Sequence, residues 1–130
     1  MFRTHAAVYE LSGGRLGAWF GLPTLLLTFT GRKSGKRYST PLVYFEDGGR
    51  YIVVGSDGAA RRDPQWWKNL KANPHGSVRV GRKQMDVVAH LASGDERARL
   101  WEAGKSVNPM WAKYQTRTER ELPVVVLSPS

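Results

Sequence analysis

The chain has 130 residues, 41% of them apolar, no cysteine and a formal charge of +9 at pH 7. That length supports one core and one domain. The missing thiols exclude disulfides, thiol catalysis and thiolate metal sites, and no apolar run reaches the roughly 18 residues of a membrane span.

The positive charge is unevenly spread. Residues 1–85 hold 14 Lys/Arg against 5 Asp/Glu, whereas residues 86–130 hold 6 of each. A basic part beside a neutral part implies an anionic partner, with nucleic acid, an anionic membrane and a polyanionic cofactor all open.

The first helix candidate, Arg3 to Leu11, lies in an N-terminal helical segment over residues 1–14 and stops at Ser12-Gly13-Gly14, where glycine can supply a C-cap. Met1-Phe2-Arg3-Thr4-His5-Ala6 lacks the apolar region of a signal peptide, so a cytoplasmic protein is expected. Leu16 to Pro23 reads as a connector. Strands are expected over Thr24–Thr30, Tyr38–Phe45 and Tyr51–Ser56, the last two joined by the hairpin signal Glu46-Asp47-Gly48-Gly49-Arg50.

A short helix follows, with Asp63 placed to be its N-cap, Pro64 its first residue and Asn73-Pro74 its end. Val78–Val80 and Gln84–Leu91 form a second hairpin around Gly81-Arg82-Lys83. In its second strand Met85, Val87, Ala89 and Leu91 alternate with more polar positions. Ser93 and Glu96 have capping-box spacing for a helix through about Lys105. Another helix from Pro109 to about Thr116 precedes a last strand, Leu122–Leu127. Six strands joined by turns predict a mainly antiparallel α+β domain curled into a small barrel, with helices over its ends. The links are too short for parallel crossovers.

Gly31-Arg32-Lys33-Ser34-Gly35-Lys36-Arg37 sits between two of these strands and contains no acid. Backbone N–H groups and side-chain cations can converge on an anion at such a corner. It is not a nucleotide-triphosphate loop. Only three residues separate its glycines, Arg37 follows Lys36, and a strand rather than a helix comes next. Taken alone, the motif is equally a solvated basic turn. His5, His75 and His90 are scattered without acid neighbours at ligand spacing, so no metal is expected.

Further segments accompany the corner in order: Thr40-Pro41-Leu42, Asp47-Gly48-Gly49-Arg50-Tyr51, Val54-Gly55-Ser56-Asp57-Gly58, Asp63 to Pro74 with Trp66-Trp67, Tyr114 to Thr118, and Leu122 to Val126. From about Ser12 to Leu127 the succession resembles the deazaflavin-dependent nitroreductase and quinone reductase family, small reductases that use coenzyme F-420. The resemblance implies a split β-barrel of the flavin-reductase (FMN-binding) type. It also implies hydride transfer from the reduced deazaflavin to a small electrophilic acceptor: a quinone, a nitroaromatic or an enone.

The coenzyme's phosphate and oligoglutamate tail give the basic part a physical reason. By resemblance, Arg32, Lys33, Ser34 and Gly35 grip the phosphate region, while Lys36 and Arg37 extend the positive groove. Many relatives carry arginine where this chain has Tyr38. Gly55, Ser56, Asp57 and Gly58 would lie against the ring, with backbone N–H groups near its heteroatoms. Some relatives have lysine in place of Asp57, a change for which Arg61 and Arg62 could compensate.

Pro64 and Trp66 would complete the cofactor side, with Trp67 in the core, since neighbouring helical residues point about 100° apart. Lys68 and Lys71 suit either the tail or a solvated surface. Met110, Trp111 and Tyr114 would wall the acceptor, although some relatives place tyrosine at Asn108 and Trp111. Ser56 and Tyr114 are the rival catalytic proton donors, with solvent the third source. Two other classes stay open: a split barrel binding FMN or haem, and a nucleic-acid or anionic-membrane module. A nucleic-acid recognition element is absent from the pattern. Weak peripheral membrane contact through the N-terminal helix is an expectation, and either a monomer or a homodimer fits.

Overall fold

The computed structural model describes residues 22–57 and 60–130. The expected helix Arg3–Leu11, most of the Leu16–Pro23 connector and Gly58 lie outside the described residues. In chain order the elements are β1 (Thr24–Thr30), β2 (Arg37–Val43), β3 (Phe45–Asp47), β4 (Arg50–Val54), α1 (Gln65–Ala72), β5 (His75–Val80), β6 (Lys83–Leu91), α2 (Gly94–Val107), α3 (Met110–Thr116) and β7 (Val124–Pro129).

The strands form one sheet in the order β2-β1-β5-β6-β7-β4-β3, and every pairing is antiparallel. β2 stands at one edge and β4 beside the other, yet the two touch. The sheet therefore curls round into a half-barrel, with no hydrogen-bonded ladder joining those two strands among the described residues. Alternation explains how it is filled. On β7, Val125 and Leu127 join one apolar cluster with Leu25, Leu27 and Phe29 of β1 and with Trp66, Trp67 and Leu70 of α1. Val124 and Val126 face the other way, into a second cluster with Ile52, Leu100 of α2 and Trp111 of α3. Helix α1 covers one face of the sheet, and α2 and α3 cover the other.

Four expectations are corrected here. The strand expected over Tyr38–Phe45 breaks at Tyr44, whose N–H donates to Pro23 O at 3.1 Å, so the described residues form seven strands rather than six. Pro64, not Asp63, is the N-cap of α1, because the Asp63 carboxylate is engaged by Arg120 at 2.9 Å. Ser93 caps α2 without a side-chain bond, and Glu96 turns instead to Arg50 and His90. Leu91, expected on the buried face of β6, is 49% exposed although it pairs with the buried Val125 of β7.

Candidate active site

The β1–β2 register ends with Thr30 opposite Arg37, leaving residues 31–36 to make the turn. Gly31 N–H donates to Lys36 O at 2.7 Å and Gly35 N–H to Gly31 O at 2.8 Å. Gly35 takes φ +71°, a left-handed conformation natural to glycine. Gly31 is held by space instead: a Cβ there would lie 2.7 Å from the Tyr38 ring.

The turn docks on α1 through Arg32. Its backbone N–H reaches Asn69 Oδ1 at 3.0 Å, and its guanidinium donates to Asn69 Oδ1 at 2.8 Å and Gln65 Oε1 at 3.1 Å. Both acceptors are neutral amides, so Arg32 is oriented without being neutralised. None of Arg32, Lys33, Lys36 and Arg37 meets a carboxylate among the described residues. Ser34 and Tyr38 share a hydroxyl contact at 3.2 Å, and Lys36 N–H donates to Ser34 Oγ. These groups border a hollow of about 240 Å³ lined by Gly31, Arg32, Lys33, Ser34, Tyr38 and Asn69, with Phe29 and Gln65 closing it.

Beside it lies a larger cavity of about 440 Å³. One wall is β2 from Thr40 to Val43. A second wall comes from Val54, Ser56, Asp57, Pro64, Gln65 and Trp66, and a third from Asn108, Trp111 and Tyr114. Gln65 lines both hollows. The wall at Ser56 is shaped by close packing: a Cβ on Gly55 would lie 2.6 Å from the Pro123 ring and 3.3 Å from Pro64. Asp57 then takes φ +43°, the only non-glycine positive φ among the described residues.

The structure brings most of the residues singled out from the sequence to these two hollows. Arg32, Lys33 and Ser34 line the smaller one, while Gly35 supports the turn from behind. Ser56, Asp57, Pro64, Trp66, Trp111 and Tyr114 line the larger one. Trp67 is buried in the core instead, with Lys71 Nζ 5.8 Å from its ring centroid.

Three assignments change. Arg37 leaves the anion corner for Thr30 Oγ1 at 3.4 Å, and Tyr38, on the opposite face of the strand, lines the hollow in its place. Met110 is 37% exposed and away from the cavity. Asn108, two residues earlier, lines it and accepts the Met110 N–H on Oδ1 at 3.1 Å. The Gly55 and Ser56 N–H groups are engaged by Pro123 O and Val54 O, each at 2.9 Å. With these two amides engaged, the Ser56 hydroxyl is a donor the turn offers the cavity.

Gln65 and Asn69 are not singled out by the sequence, and Asn108 stands out there only as a position where some relatives place tyrosine. Asn69 and Asn108 are buried polar residues, each 8% exposed. A polar residue on the inner face of a helix that otherwise buries tryptophan and leucine was the available signal for Asn69.

Comparison with known proteins identifies the family and the fold. The family model described as F-420H(2)-dependent quinone reductase matches residues 1–129. A putative F-420H(2)-dependent quinone reductase of Mycobacterium tuberculosis is 43% identical over 117 residues, covering 88% of this chain and 98% of its own. A solved F-420-H2 dependent reductase, FDR-A, gives a TM-score of 0.76 at 40% identity over 82% of this chain and 94% of its own. A chain solved as a domain-swapped dimer gives 0.77 at 40% identity, covering 82% of this chain and 80% of its own. A haem storage protein from Vibrio cholerae, at TM-score 0.62 and 14% identity over 83% of this chain and 82% of its own, shares the fold alone. Architecture, full-length match and identity agree: this split-barrel chain belongs to the F-420H(2)-dependent quinone reductase family.

Proposed function

We propose that the chain transfers hydride from reduced coenzyme F-420 to a quinone, with nitroaromatics and enones as further acceptors of the same electronic type. The observation that carries this reading is the contiguity of the two hollows. A corner of un-neutralised cations adjoins, with Gln65 lining both, a cavity with aromatic walls. A ligand with a planar ring at one end and a phosphate and carboxylates at the other fits that layout.

Arg32, Lys33 and the Ser34 and Tyr38 hydroxyls would hold the phosphate region, with Lys36 toward the tail. Pro64 and Trp66 would support the ring, and Ser56 and Asp57 would face it. The coenzyme, when bound, supplies the hydride. The protein's part is to exclude water, stack the acceptor and polarise it. Trp111 and Tyr114 offer a flat wall for a planar acceptor. The Ser56 and Tyr114 hydroxyls are the donors available to an acceptor oxygen as negative charge develops there.

The proposed setting is cytoplasmic, with peripheral approach to the membrane where the acceptor is a lipid quinone. No helix among the described residues is long and apolar enough to cross a membrane. Assembly as a homodimer is proposed on the precedent of the domain-swapped relative.

The test is a titration of the protein with coenzyme F-420 at low salt, following tryptophan fluorescence, since Trp66 and Trp111 line the cavity. Saturable quenching is expected, followed by oxidation of the reduced coenzyme on addition of a menaquinone analogue. Absence of quenching at tens of micromolar coenzyme would reject the reading, as would FMN binding in its place. Quenching with no oxidation by quinone, nitroaromatic or enone would leave a binding protein and reject the reductase.

A further inference from the structure

Arg120 lies between α3 and β7, and its side chain is only 14% exposed. Its guanidinium makes four contacts. Nε donates to Ala60 O at 2.7 Å, Nη1 to Gly55 O and Asp63 Oδ1, each at 2.9 Å, and Nη2 to Ser56 O at 2.7 Å. The acceptors Gly55 and Ser56 stand where Ser56 and Asp57 line the larger cavity, and Asp63 directly precedes Pro64 and Trp66 of the same wall.

The same residue is tied to the opposite wall. Its backbone carbonyl accepts Gln115 Nε2 at 2.8 Å, and Gln115 Oε1 accepts the Leu122 N–H at 2.9 Å. Gln115 follows Tyr114 on α3, the helix that also presents Trp111 to the cavity. The Ser56 wall and the Tyr114 wall are therefore joined through one side chain and its own peptide group.

We propose that Arg120, anchored by Gln115, is a positioning residue that sets the gap between these walls and hence the stacking distance of hydride donor and acceptor. This rests on the reading of the cavity given above. The chemistry needs arginine. Three carbonyls and a carboxylate converge on a planar fork with five donors, whereas a lysine ammonium is a single point with three. Regular hydrogen bonding does not hold these acceptors in place, because Gly55, Ser56, Ala60 and Asp63 belong to no helix or strand. Hydride transfer requires reacting atoms about 3–3.5 Å apart, and an error of about 1 Å can cost about 100-fold in rate.

The experiment compares wild type, Arg120→Lys, Arg120→Ala and Gln115→Leu by coenzyme titration and by single-turnover oxidation of the bound reduced coenzyme with menadione. In Arg120→Lys the transfer rate per bound site is expected to fall about 10- to 100-fold, the range a small misplacement produces. Its coenzyme Kd should stay within about 3-fold, because the corner cations sit on other elements and phosphate gripping is charge-assisted there. Added guanidinium at low concentration should restore part of the rate in Arg120→Ala, and methylammonium should not. Gln115→Leu leaves the loop contacts in place and should show the same split at smaller amplitude.

A residue needed only for folding would lower binding and turnover together, in proportion to the folded fraction. That result in both Arg120→Lys and Gln115→Leu, or a wild-type transfer rate in Arg120→Lys, would overturn the inference. If wild type itself neither binds nor oxidises the reduced coenzyme, the cavity reading falls first and the inference with it.

Discussion

Asn69 shows how a neutral residue can organise a charged site. Its Oδ1 receives both the backbone N–H and the guanidinium of Arg32, fixing the cation while leaving its charge intact. An aspartate there would hold Arg32 as firmly and cancel the field it projects. Asn69→Leu should therefore leave Arg32 unanchored and weaken coenzyme binding about 10- to 100-fold, consistent with about 1.5–3 kcal/mol for hydrogen bonds to a charged group. Asn69→Asp should weaken it as well, and by a route that high salt partly hides. Fluorescence titrations of the two variants at low and high salt separate these effects.

Away from both hollows, Asp47 takes Arg99 at 2.7 and 3.1 Å and Arg50 at 2.7 Å. The hydrogen bonds from Arg99 and then Arg50 hold its carboxyl far below the usual carboxylate range. His90 and then Arg50 lower the neighbouring Glu96 carboxyl in the same way. A depressed folded-state pKa means that, in acid, the unfolded chain binds more protons than the folded one. The stabilisation is then complete above the unfolded value of about 3.9 for aspartate and is lost as pH falls through the folded value. Asp47→Asn should melt a few degrees lower at neutral pH, consistent with about 1 kcal/mol for pairs of this exposure. The gap between variant and wild type should narrow below about pH 4. Melts across the acid range check this, and a gap that widened in acid would refute it.

At the scale of elements, most of the barrel could be read from the chain because its signals are local. Thr24–Thr30 is a dense apolar run bounded by Pro23 and Gly31, and β1 has those limits. The hairpin turn at Gly48-Gly49 is visible in two adjacent glycines, both of which take positive φ. What escaped depends on partners distant in sequence. Asp63 has a good N-cap's composition and place, but Arg120, 57 positions away, engages it. Glu96 has capping-box spacing from Ser93, but Arg50, 46 positions away, reaches it. The anion corner could be read as a run of cations and glycines, whereas its anchors on α1 could not, since Asn69 lies 37 positions from Arg32.

Gly76 belongs to the same lesson. Nothing in His75-Gly76-Ser77 marks the glycine as special, yet a Cβ there would lie 2.6 Å from Thr28 O, a backbone atom of the adjoining strand. Strands β1 and β5 can approach this closely only without that atom. Gly76→Ala should cost about 1–3 kcal/mol, the range for forced overpacking, and lower the melting midpoint by roughly 5–15 °C for a domain of this size. A thermal melt of Gly76→Ala against wild type decides it; an unchanged midpoint would show that the sheet can open there freely.

For the molecule as a whole, the decisive property is where its charge remains uncompensated. Among the described residues, ion pairing engages five acids away from the turn: Asp47 and Glu96 with Arg50 and Arg99, Glu102 with Lys105, Glu121 with Arg97, and Asp63 with Arg120. The turn at residues 31–37 has no such partner among the described residues. Its field therefore reaches into the two hollows and outward to an approaching polyanion. Such steering acts mainly on association and is screened over a Debye length of about 10 Å at 0.1 M salt, shrinking to about 3 Å at 1 M. Coenzyme affinity should fall at least about tenfold between low and near-molar salt, chiefly through a slower association rate. The KM for an uncharged quinone should scarcely move over the same range. Replacing Arg32 and Lys33 together with glutamine should remove most of that salt dependence while leaving the melting midpoint nearly unchanged, since both side chains are exposed. Stopped-flow association rates measured across salt concentrations test both statements at once. A salt response that persisted in the double variant would shift the electrostatic role from this corner to other basic residues of the first 85.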